Sequence, residues 1–311
     1  MNPRITVVGS LNMDLVVRSP RIPRPGETII GHTFQTAPGG KGANQAVAAA
    51  RLGGRVSMIG HVGQDTFGDQ LLDSLAAADV DCRYIKPTSD TSTGIALIVV
   101  DDQGENSIVV ASGANMSLTP QHLEEYDDVI VSADVLLLQL ELPLKTVIRA
   151  AQIAKASGVT IILNPAPARE LPSDLISGVD FLIPNETELA LLTEMPVHDI
   201  PQVERAAHSL LERDLGCIIV TLGKDGALIG ESNEFAYVSP HKISAADTTA
   251  AGDAFVGAFS VAYGEGKSIV EAVRWANAAG AFTATKLGAQ PSLPSREELD
   301  NFIWRQARVG K

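Results

Sequence analysis

A single carboxylate, Asp253, stands where a run of small residues meets an apolar helical pattern. The stretch reads AADTTAAGDAFVGAFSVA over residues 245–262. Small residues at a helix N-terminus leave backbone N–H groups open, and such groups attract anions. If the helix begins near Ala250 or Ala251, Asp253 lies in its first turn, where we expect the helix dipole to lower its pKa. This pattern predicts a general base that faces a substrate hydroxyl.

The residues just before this helix admit two explanations. Asp247 and Thr248 can each cap a helix N-terminus through a side-chain oxygen. Capping accounts for Asp247 as well as a functional role does, and the residue types alone do not decide between the two.

A glycine-rich stretch, APGGKGANQAVAAARLG over 37–53, precedes a second helical pattern. We expect this helix to begin near Ala43, which places Lys41 and Asn44 in or beside its first turn. Glycine allows a backbone to approach a ligand closely. A flexible turn before an Ala-rich helix is the commoner explanation of a single glycine-rich loop. The glycines concerned are Gly39, Gly40 and Gly42.

Several well-known catalytic motifs are absent from the sequence. A P-loop needs Ser or Thr after its Lys, but Gly42 follows Lys41; near residues 266–268, Val261 stands where a P-loop needs Gly. No dinucleotide fingerprint Gly-x-Gly-x-x-Gly follows the first apolar run. No Gly-x-Ser-x-Gly elbow exists, and the six histidines lack metal-ligand spacing. The sequence therefore supports neither a hydrolase nor a zinc enzyme.

Short apolar runs alternate along the chain with Ala-rich or amphipathic helical stretches. Such alternation predicts an α/β fold, with a doubly wound, mostly parallel central sheet and helices on both faces. After Asp253 the pattern is mostly helical. The apolar runs are ITVV (5–8), VSMIG (56–60), DVLLLQL (134–140), VTIIL (159–163), DFLIP (180–184) and CIIVTLG (217–223).

Residues 12–36 and 93–111 break this rhythm. Both stretches alternate like strands, and the second predicts a hairpin around residues 102–105. Neither is followed directly by a crossover helix. We therefore expect them to form a small β-sheet lid over a ligand. No linker or repeat divides the chain, so we expect residues 1–311 to form one domain.

Polar residues follow most of the predicted strands. In an open doubly wound sheet, ligands bind outside the carboxyl ends of the strands. The groups there are uncharged or acidic, which suits a neutral polyol together with a bulkier ligand. They are Ser10, Asn12, Asp14, Glu141, Asn164, Asn185, Glu188 and Thr221.

The composition limits the partners of the protein. The 311 residues carry a formal net charge of −13, and no block of like charges suggests a nucleic-acid groove or an anionic membrane surface. Cys82 and Cys217 indicate neither a zinc motif nor a disulfide framework. The first residues lack the apolar region of a signal peptide, and no apolar run approaches a membrane span. We expect a cytoplasmic protein without nucleic-acid or membrane partners.

Six motifs in chain order give the sequence a family resemblance. Together with Asn12 and Asp14, they resemble the ribokinase-like (phosphofructokinase-B) carbohydrate kinases over nearly the whole chain. The resemblance implies that family's mostly parallel sheet with helices on both sides, and a β lid that often forms the contact of a homodimer. The motifs are GGKGANQAVAAARLG (39–53), NPAPARELP (164–172), PNETE (184–188), VTLGKDGA (220–227), DTTAAGDAF (247–255) and KLGAQPSLP (286–294).

The activity that the resemblance implies is ATP-dependent phosphorylation of D-ribose at O5, with ADP as the second product. Asp253 would take the proton of the 5-hydroxyl, and the N–H groups of Ala250, Ala251 and Gly252 would form the anion hole. Ala250 stands where many family members carry Gly. The residues implied to hold the sugar are Asn12, Asp14, Gly40, Lys41, Gly42, Ala43, Asn44, Glu141 and Asp253.

The resemblance also implies ATP with Mg²⁺, and K⁺ as an activating cation. Asn185 and Glu188 match the family's site for the phosphates and Mg²⁺, with Glu188 acting mostly through water. The nucleotide pocket is implied at Thr221, Leu222, Gly223, Lys224, Asp225, Gly226, Gly252 and Asn277, the last of which is His in some members. A K⁺ site built largely from backbone oxygens is implied at Asp247, Thr249, Thr283, Lys286, Gly288 and Ser292.

Three other functions compete with this one. A kinase of the same family could act on 2-deoxyribose or a nucleoside. Asn12 and Asp14 favour a sugar that has its 2-hydroxyl, but they do not exclude these substrates. A catalytically idle sugar-binding protein is opposed by the intact Asp253 and Gly252. An NAD-dependent oxidoreductase lacks its dinucleotide fingerprint.

Overall fold

The structure is a computed structural model that describes residues 2–232 and 234–309. Its strands belong to two sheets. In chain order they are β1 (Arg4–Val8), β2 (Asn12–Arg18), β3 (Thr33–Gly39), β4 (Arg55–Gly63), β5 (Asp81–Thr88), β6 (Gly94–Val100), β7 (Asn106–Ala111), β8 (Val135–Leu138), β9 (Thr160–Leu163), β10 (Phe181–Leu182), β11 (Cys217–Thr221), β12 (Ala227–Glu231) and β13 (Glu234–Val238).

The apolar runs of the sequence form the middle of a nine-stranded sheet with the order β13-β12-β11-β10-β9-β8-β1-β4-β5. β1 pairs in parallel with both β4 and β8, and the parallel ladder continues to β11. β12 and β13 add antiparallel strands at one edge. Strands covered on both faces need apolar side chains throughout, and every residue of β8 is buried. The predicted mostly parallel sheet is confirmed.

Helices connect the strands, and after Asp253 the chain is mainly helical, as predicted. Within the described residues, no helix is both long and apolar enough to span a membrane. The helices are α1 (Lys41–Arg51), α2 (Thr66–Ala77), α3 (Pro120–Leu123), α4 (Asp127–Val131), α5 (Leu144–Ala156), α6 (Ser173–Ile176), α7 (Glu186–Thr193), α8 (Ile200–Leu211), α9 (Ala251–Gly264), α10 (Ile269–Ala284) and α11 (Arg296–Val309).

Each face of the central sheet has its own apolar cluster. Side chains of α1, α9 and α10 pack on one face, and those of α5 and α8 pack on the other. Burial of apolar surface against both faces is what stabilises a sheet of this kind. The predicted doubly wound α/β fold with helices on both faces is thereby confirmed.

The two stretches that broke the alternation form a separate four-stranded sheet with the order β3-β2-β6-β7. β6 and β7 are an antiparallel hairpin, and Gly104 N donates to Asp101 O across its turn at 3.0 Å. β3 extends to Gly39, beyond the predicted limit at residue 36. The expected small second sheet is confirmed.

The order in which the chain adds strands to the central sheet changes direction between β1 and β8. From β1 the chain adds β4 and β5 on one side, and then returns to add β8 to β11 on the other. The crevice at the carboxyl ends of strands beside such a reversal is the common ligand site of doubly wound folds. Ser10 follows β1 there, and Gln139 and Glu141 follow β8.

Candidate active site

Glu141 lies at this crevice and accepts hydrogen bonds from three segments. Ser10 Oγ donates to Glu141 Oε2 at 2.5 Å, and the backbone N–H of Lys41 donates to the same oxygen at 3.1 Å. Asn12 Nδ2 lies 3.4 Å from it. One carboxylate therefore joins the loop after β1, the start of β2 and the start of α1. Asn12, Lys41 and Glu141, which the resemblance assigned to the sugar site, therefore meet here.

The glycine-rich loop is shaped by contact with the chain itself. α1 begins at Lys41, earlier than the predicted start near Ala43, and Gly40 precedes it with φ of 90°. A Cβ at Gly42 would lie 2.5 Å from the backbone N of Ser10, which is closer than any real Cβ contact. Glycine is therefore required here so that α1 can begin against the loop after β1, and the alternative of a merely flexible turn does not apply.

Asp253 lies in the first turn of α9, as predicted, and only 7% of its surface is exposed. Asn44 Nδ2 donates to its Oδ2 at 2.9 Å, and Gln45 Nε2 donates to its Oδ1 at 3.1 Å. Both donors lie on α1. α1 and α9 approach closely because Gly257 faces Ala48, where an added Cβ would lie 2.7 Å from the alanine Cβ. Close helix packing thus brings the two sequence motifs to one carboxylate.

The N-terminus of α9 is open. Ala250 is its N-cap with φ of 59°, and an added Cβ at Gly252 would meet no described atom within 4 Å. Packing therefore does not require glycine at position 252, and the absent side chain leaves space at the positive end of the helix. The N–H of Ala251 donates to Thr248 O at 3.2 Å, so one of the three N–H groups implied for the anion hole has a partner of its own.

The pKa of Asp253 is raised, whereas the helix dipole alone predicted that it would fall. Burial is the largest cause, because a desolvated carboxylate favours its neutral form. The positive charge of Lys41 and the hydrogen bonds from Asn44 and Gln45 lower the pKa and offset burial only in part. The predicted direction was wrong because desolvation depends on packing that the local motif does not contain.

Asp14 and Lys41 carry further perturbed charges beside Asp253. Burial, followed by the negative charges of Glu141 and Asp253, raises the pKa of Asp14 to about 7. Burial acts to lower the pKa of Lys41, but Asp253, Glu141 and Glu188 raise it overall. A single ammonium group therefore faces several carboxylates, and it favours their ionised forms.

A cavity of about 890 Å³ opens beside Asp253 and Lys41. Of the residues implied for the nucleotide, Leu222 is instead buried in the apolar core, and the backbone carbonyl of Asp225 accepts a hydrogen bond from the Tyr237 hydroxyl. The implied residues that line the cavity are Asn185, Glu188, Thr221, Gly223, Lys224, Gly226, Gly252 and Asn277.

Asn277 and Asn185 are each held by local hydrogen bonds. Asn277 Nδ2 donates to the backbone carbonyls of Val238 and Ser239, both at 3.3 Å. Asn185 and Glu188 form a capping box at the start of α7: Glu188 N donates to Asn185 Oδ1, and Asn185 N donates to Glu188 Oε2, both at 2.8 Å. The capping box leaves Glu188 Oε1 outside it. Burial raises the pKa of Glu188, although the hydrogen bond from the backbone N–H of Asn185 acts to lower it.

Asp247 does not cap α9, so the capping interpretation is wrong. The N-cap is Ala250, and it has no side-chain hydrogen bond. Asp247 Oδ1 accepts hydrogen bonds from Thr249 N at 2.9 Å and Thr249 Oγ1 at 2.6 Å, and Oδ2 accepts one from Gly288 N at 2.9 Å. These bonds join the loop before α9 to the loop after α10, because Asp247 lies too far ahead of the helix to reach its first N–H groups.

The remaining residues implied for K⁺ lie at the end of α10 and beyond it. Thr283 is fully buried, and its Oγ1 has no hydrogen-bond partner in the part of the chain that the structure describes. Ser292 Oγ donates to a backbone carbonyl at 2.6 Å. Lys286 Nζ lies 3.0 Å from Glu298 Oε1 and 4.3 Å from the centre of the Phe282 ring, so its ammonium group is engaged elsewhere.

Three buried amides in the site, Gln45, Asn115 and Gln139, were not identified from the sequence. Gln45 contacts Asp253, and its one signal was its place beside Asn44 in the glycine-rich motif. Asn115 is fully buried, donates to Asn12 Oδ1 at 2.8 Å and accepts from the backbone N of Leu11 at 2.9 Å. No local pattern marks Asn115, because 103 positions separate it from Asn12 in the chain.

The fold and the site together define a class of α/β protein: carbohydrate kinases with a doubly wound sheet, a small second sheet and a carboxylate at a helix N-terminus. A family model described as pfkB family carbohydrate kinase matches residues 2–296. The chain belongs to this family, and the resemblance inferred from the motifs is confirmed.

Similar proteins carry names that state a sugar substrate. A ribokinase of Haemophilus influenzae is 43% identical over 303 residues, which cover 97% of this chain and 99% of that protein. A deoxyribokinase of Salmonella typhi is 38% identical over 300 residues, which cover 96% of this chain and 98% of that protein. The structure of an Arabidopsis thaliana ribokinase complexed with ribose and ATP superimposes with a TM-score of 0.91 at 35% identity, covering 97% of this chain and 99% of that one.

Proposed function

We propose that the protein phosphorylates D-ribose at O5, with ATP as the donor and D-ribose 5-phosphate and ADP as products. The observation that carries this proposal is the position of Asp253. Asp253 lines the cavity of about 890 Å³ and accepts a hydrogen bond from Asn44, and its charge acts on Asp14, as does that of Glu141. A sugar hydroxyl on one side and the γ-phosphate of ATP on the other would meet at this carboxylate. The relatives named ribokinase support the same substrate.

The cluster around Glu141 suits a polyol. Asn12 offers its Nδ2 to the site because Asn115 holds its Oδ1. Asn44 Oδ1 is buried and has no partner among the residues described, so it can accept a hydrogen bond from a sugar hydroxyl. We assign sugar binding to the side chains of Asn12, Asp14, Lys41, Asn44 and Glu141, and to the backbone of Gly40, Gly42 and Ala43.

In the reaction, Asp253 accepts the proton of the 5-hydroxyl while that oxygen attacks the γ-phosphorus. The new O–P bond forms as the bond between the γ-phosphorus and the β–γ bridging oxygen breaks, and ADP leaves. The raised pKa of Asp253 makes it a stronger base. At the α9 N-terminus, the N–H groups of Ala250 and Gly252 stabilise the charge of the transferred group, together with the N–H of Ala251, which is shared with Thr248 O.

The cavity is assigned to ATP, with Thr221, Gly223, Lys224, Gly226 and Asn277 in its wall. Leu222 and Asp225 would contribute through the loop that carries them. In the described residues, no group of three or more His, Cys, Asp or Glu is arranged to hold a metal ion. Mg²⁺ typically keeps several waters and binds through substrate phosphates, which fits Glu188 as its water-mediated ligand. When bound, Mg²⁺ would neutralise phosphate charge.

A K⁺ site is assigned to the junction of the loop before α9 with the end of α10. Asp247 supplies negative charge there: burial acts to raise its pKa, but hydrogen bonds from Thr249 and Gly288 lower it overall, so it is ionised. The unpartnered Oγ1 of Thr283 fits an oxygen ligand. The ion would be held by these groups and by backbone oxygens near Lys286, Gly288 and Ser292.

The experiment that tests the proposed function measures ADP release with a panel of pentoses. We expect the highest kcat/KM for D-ribose. The deoxyribokinase relative favours one alternative, 2-deoxyribose, so both sugars belong in the panel. A higher kcat/KM for 2-deoxyribose would replace the substrate assignment but keep the kinase. No ADP release with any sugar would favour an idle sugar-binding protein.

Asp253→Asn tests the base role in the same assay. The amide keeps the size of the side chain but accepts no proton, so we expect kcat to fall by about 10² to 10⁴ while sugar affinity is roughly kept. Sugar affinity is measured separately, by calorimetry without ATP. Near-normal turnover of this variant would refute Asp253 as the base.

We further propose that the chain acts as a single domain over residues 1–311, with a lid formed by residues 12–36 and 93–111. Phe34, Leu97 and Val109 share one face of this small sheet by their pairing register, and they are 64%, 48% and 63% exposed. The opposite face carries Asn12 and Asp14. An apolar face of this kind suits a homodimer contact through the lid. We place the reaction in the cytoplasm, where ATP is supplied.

A further inference from the structure

Gln45 is a fully buried amide on α1 that the assignments above do not use. Its Nε2 lies 3.1 Å from Asp253 Oδ1 and 3.1 Å from Asn164 Oδ1. Its Oε1 accepts a hydrogen bond from Gln139 Nε2 at 2.7 Å. Residues after β8 and β9 therefore reach Asp253 through the side chain of Gln45.

A backbone carbonyl determines which way Gln45 faces. Asn164 Nδ2 donates to Ile183 O at 2.9 Å, and a carbonyl oxygen only accepts. Asn164 must therefore turn its Oδ1 to Gln45, and Gln45 must donate a hydrogen bond to this oxygen through its amide N–H group. Its Oε1 is left for Gln139. Reversal of Gln45 would set its carbonyl oxygen against the oxygens of Asn164 and Asp253, which is unfavourable in a buried site.

Each oxygen of Asp253 is thus held by a neutral amide of α1. Gln45 binds Oδ1, and Asn44 binds Oδ2. Neutral donors stabilise the ionised carboxylate without cancelling its charge, and two of them fix the plane of the group. Asn44 keeps an unpartnered Oδ1 for the proposed sugar site, whereas both polar atoms of the Gln45 side chain already have protein partners.

Charged groups on the neighbouring elements also act on Asp253. Lys41, at the start of α1, attracts its negative charge. Asp14 on β2 and Glu188 on α7 interact repulsively with it, and Glu141 after β8 shares the same Lys41. These groups stay in place when Gln45 alone is changed, so the effect of Gln45 can be measured against a constant background.

We propose that Gln45 is a positioning residue for phosphoryl transfer: anchored by Asn164 and Gln139, it directs an N–H at Oδ1 of Asp253 and keeps this carboxylate ionised and aimed at the substrate hydroxyl. The proposal rests on the base role of Asp253. Gln45 is fully buried and both polar atoms of its side chain have protein partners, so we assign it an action through the base alone.

Gln45→Met tests this role, because Met is similar in size but offers neither the donor nor the acceptor. ADP release is measured with D-ribose and ATP–Mg²⁺ across the pH range in which the enzyme is stable. We expect the acid limb of kcat/KM to move to higher pH, so that the loss at its acid end exceeds the loss at its alkaline end by about tenfold. KM for D-ribose at alkaline pH is expected to change little.

Two further variants keep the test decisive. Gln45→Glu keeps the length but sets a second carboxylate against Asp253, so its acid limb is expected to move in the same direction. Thr146→Val removes another buried hydrogen bond, from Thr146 Oγ1 to Leu118 O at 2.6 Å on α5, and its limb is expected to stay in place. If Gln45→Met does not fold, Gln45→Glu carries the measurement.

Equal loss at every pH in the Gln45 variants would show that Gln45 only fills space, and would overturn the proposal. Asp253→Asn is measured in the same series. Retained turnover in that variant would overturn the base role itself, which is a different result from an unmoved acid limb in the Gln45 variants.

Discussion

At the scale of single residues, Asp253 as the proposed base combines two opposed requirements. A base must be ionised to accept a proton, yet burial favours its neutral form. Lys41, Asn44 and Gln45 each act against burial from α1. The result is a carboxylate that is more basic than an exposed Asp and is still surrounded by groups that favour its charge.

Asp14 offers a stability test at the same scale. Its pKa rises from an ordinary 3.8 to about 7 in the folded protein, so between these values the folded state binds more protons than the unfolded state. Stability therefore falls as the pH rises through this window. We expect Asp14→Asn to raise the free energy of unfolding by up to about 4 kcal/mol at pH 8, with a gain that vanishes below the window. Thermal unfolding across pH measures it.

Asp73→Asn is the matched control for this variant, because it removes one negative charge from an exposed position of α2. Equal gains in both variants would mean that only net charge was relieved. Asp14→Asn is also expected to raise KM for D-ribose, which the control does not share. These two outcomes together would mean that Asp14 lowers the stability of the fold while it serves the proposed sugar site.

At the scale of elements, the start of α9 carries a local strain. Ala250 adopts φ of 59°, a left-handed conformation that costs an L-residue about 1–2 kcal/mol and costs Gly little. Ala250→Gly is therefore expected to stabilise the protein by about 1 kcal/mol, since some of the relief is lost to the greater freedom of Gly in the unfolded chain. Chemical denaturation measures the change.

Ala258→Gly in the same helix is the control, because Ala258 is buried in the helix interior, where Gly costs about 1 kcal/mol or more. The two substitutions should change stability in opposite directions. A loss of stability in Ala250→Gly would contradict the strain. Turnover of this variant is expected to persist, since the helix end keeps its open space.

The proposed K⁺ site, where the loop before α9 meets the end of α10, predicts a dependence of the rate on the monovalent cation. Oxygen ligands placed for K⁺ suit the smaller Na⁺ poorly, so we expect a several-fold lower rate of ADP release when NaCl replaces KCl at equal ionic strength. Asp247→Asn, which removes the negative charge at the junction, should lose this difference. Equal rates of the unmodified enzyme in the two salts would contradict the proposed cation site.

At the scale of the whole molecule, we expect two copies to meet through the proposed lid. Val109→Glu puts a charge on the apolar face of the small sheet and is expected to shift the protein from dimer to monomer in sedimentation velocity. Leu191→Glu is the control, since Leu191 is also 63% exposed but lies on α7. A monomeric unmodified protein, or a dimer that survives Val109→Glu, would contradict the contact.

The whole molecule also has to bind an anion against its own charge. The formal net charge is −13, so long-range attraction of ATP is absent. Binding must therefore depend on local groups at short range, which here include the α9 N-terminus and three lysines beside the cavity, Lys41, Lys224 and Lys242. This explains why small residues and a few cations, rather than a basic surface, mark the site in the sequence.

The sequence by itself determined the elements of this protein. The buried strands, the small second sheet and the first-turn position of Asp253 follow from short-range patterns, because hydrophobic periodicity and turn residues act over a few positions. The chain order of the motifs likewise sufficed for the family. These features depend on neighbours in the chain, which a sequence displays directly.

Only the tertiary structure decided the pKa of Asp253 and the contacts between residues of the site. The pKa of Asp253 moved opposite to prediction, since desolvation depends on what packs around it. Gly42 serves the contact of α1 with Ser10, and Gln45 reaches Asp253 across 208 positions of the chain. Distances of that kind are set by the packing of α1 and α9 on the sheet, which no local pattern contains.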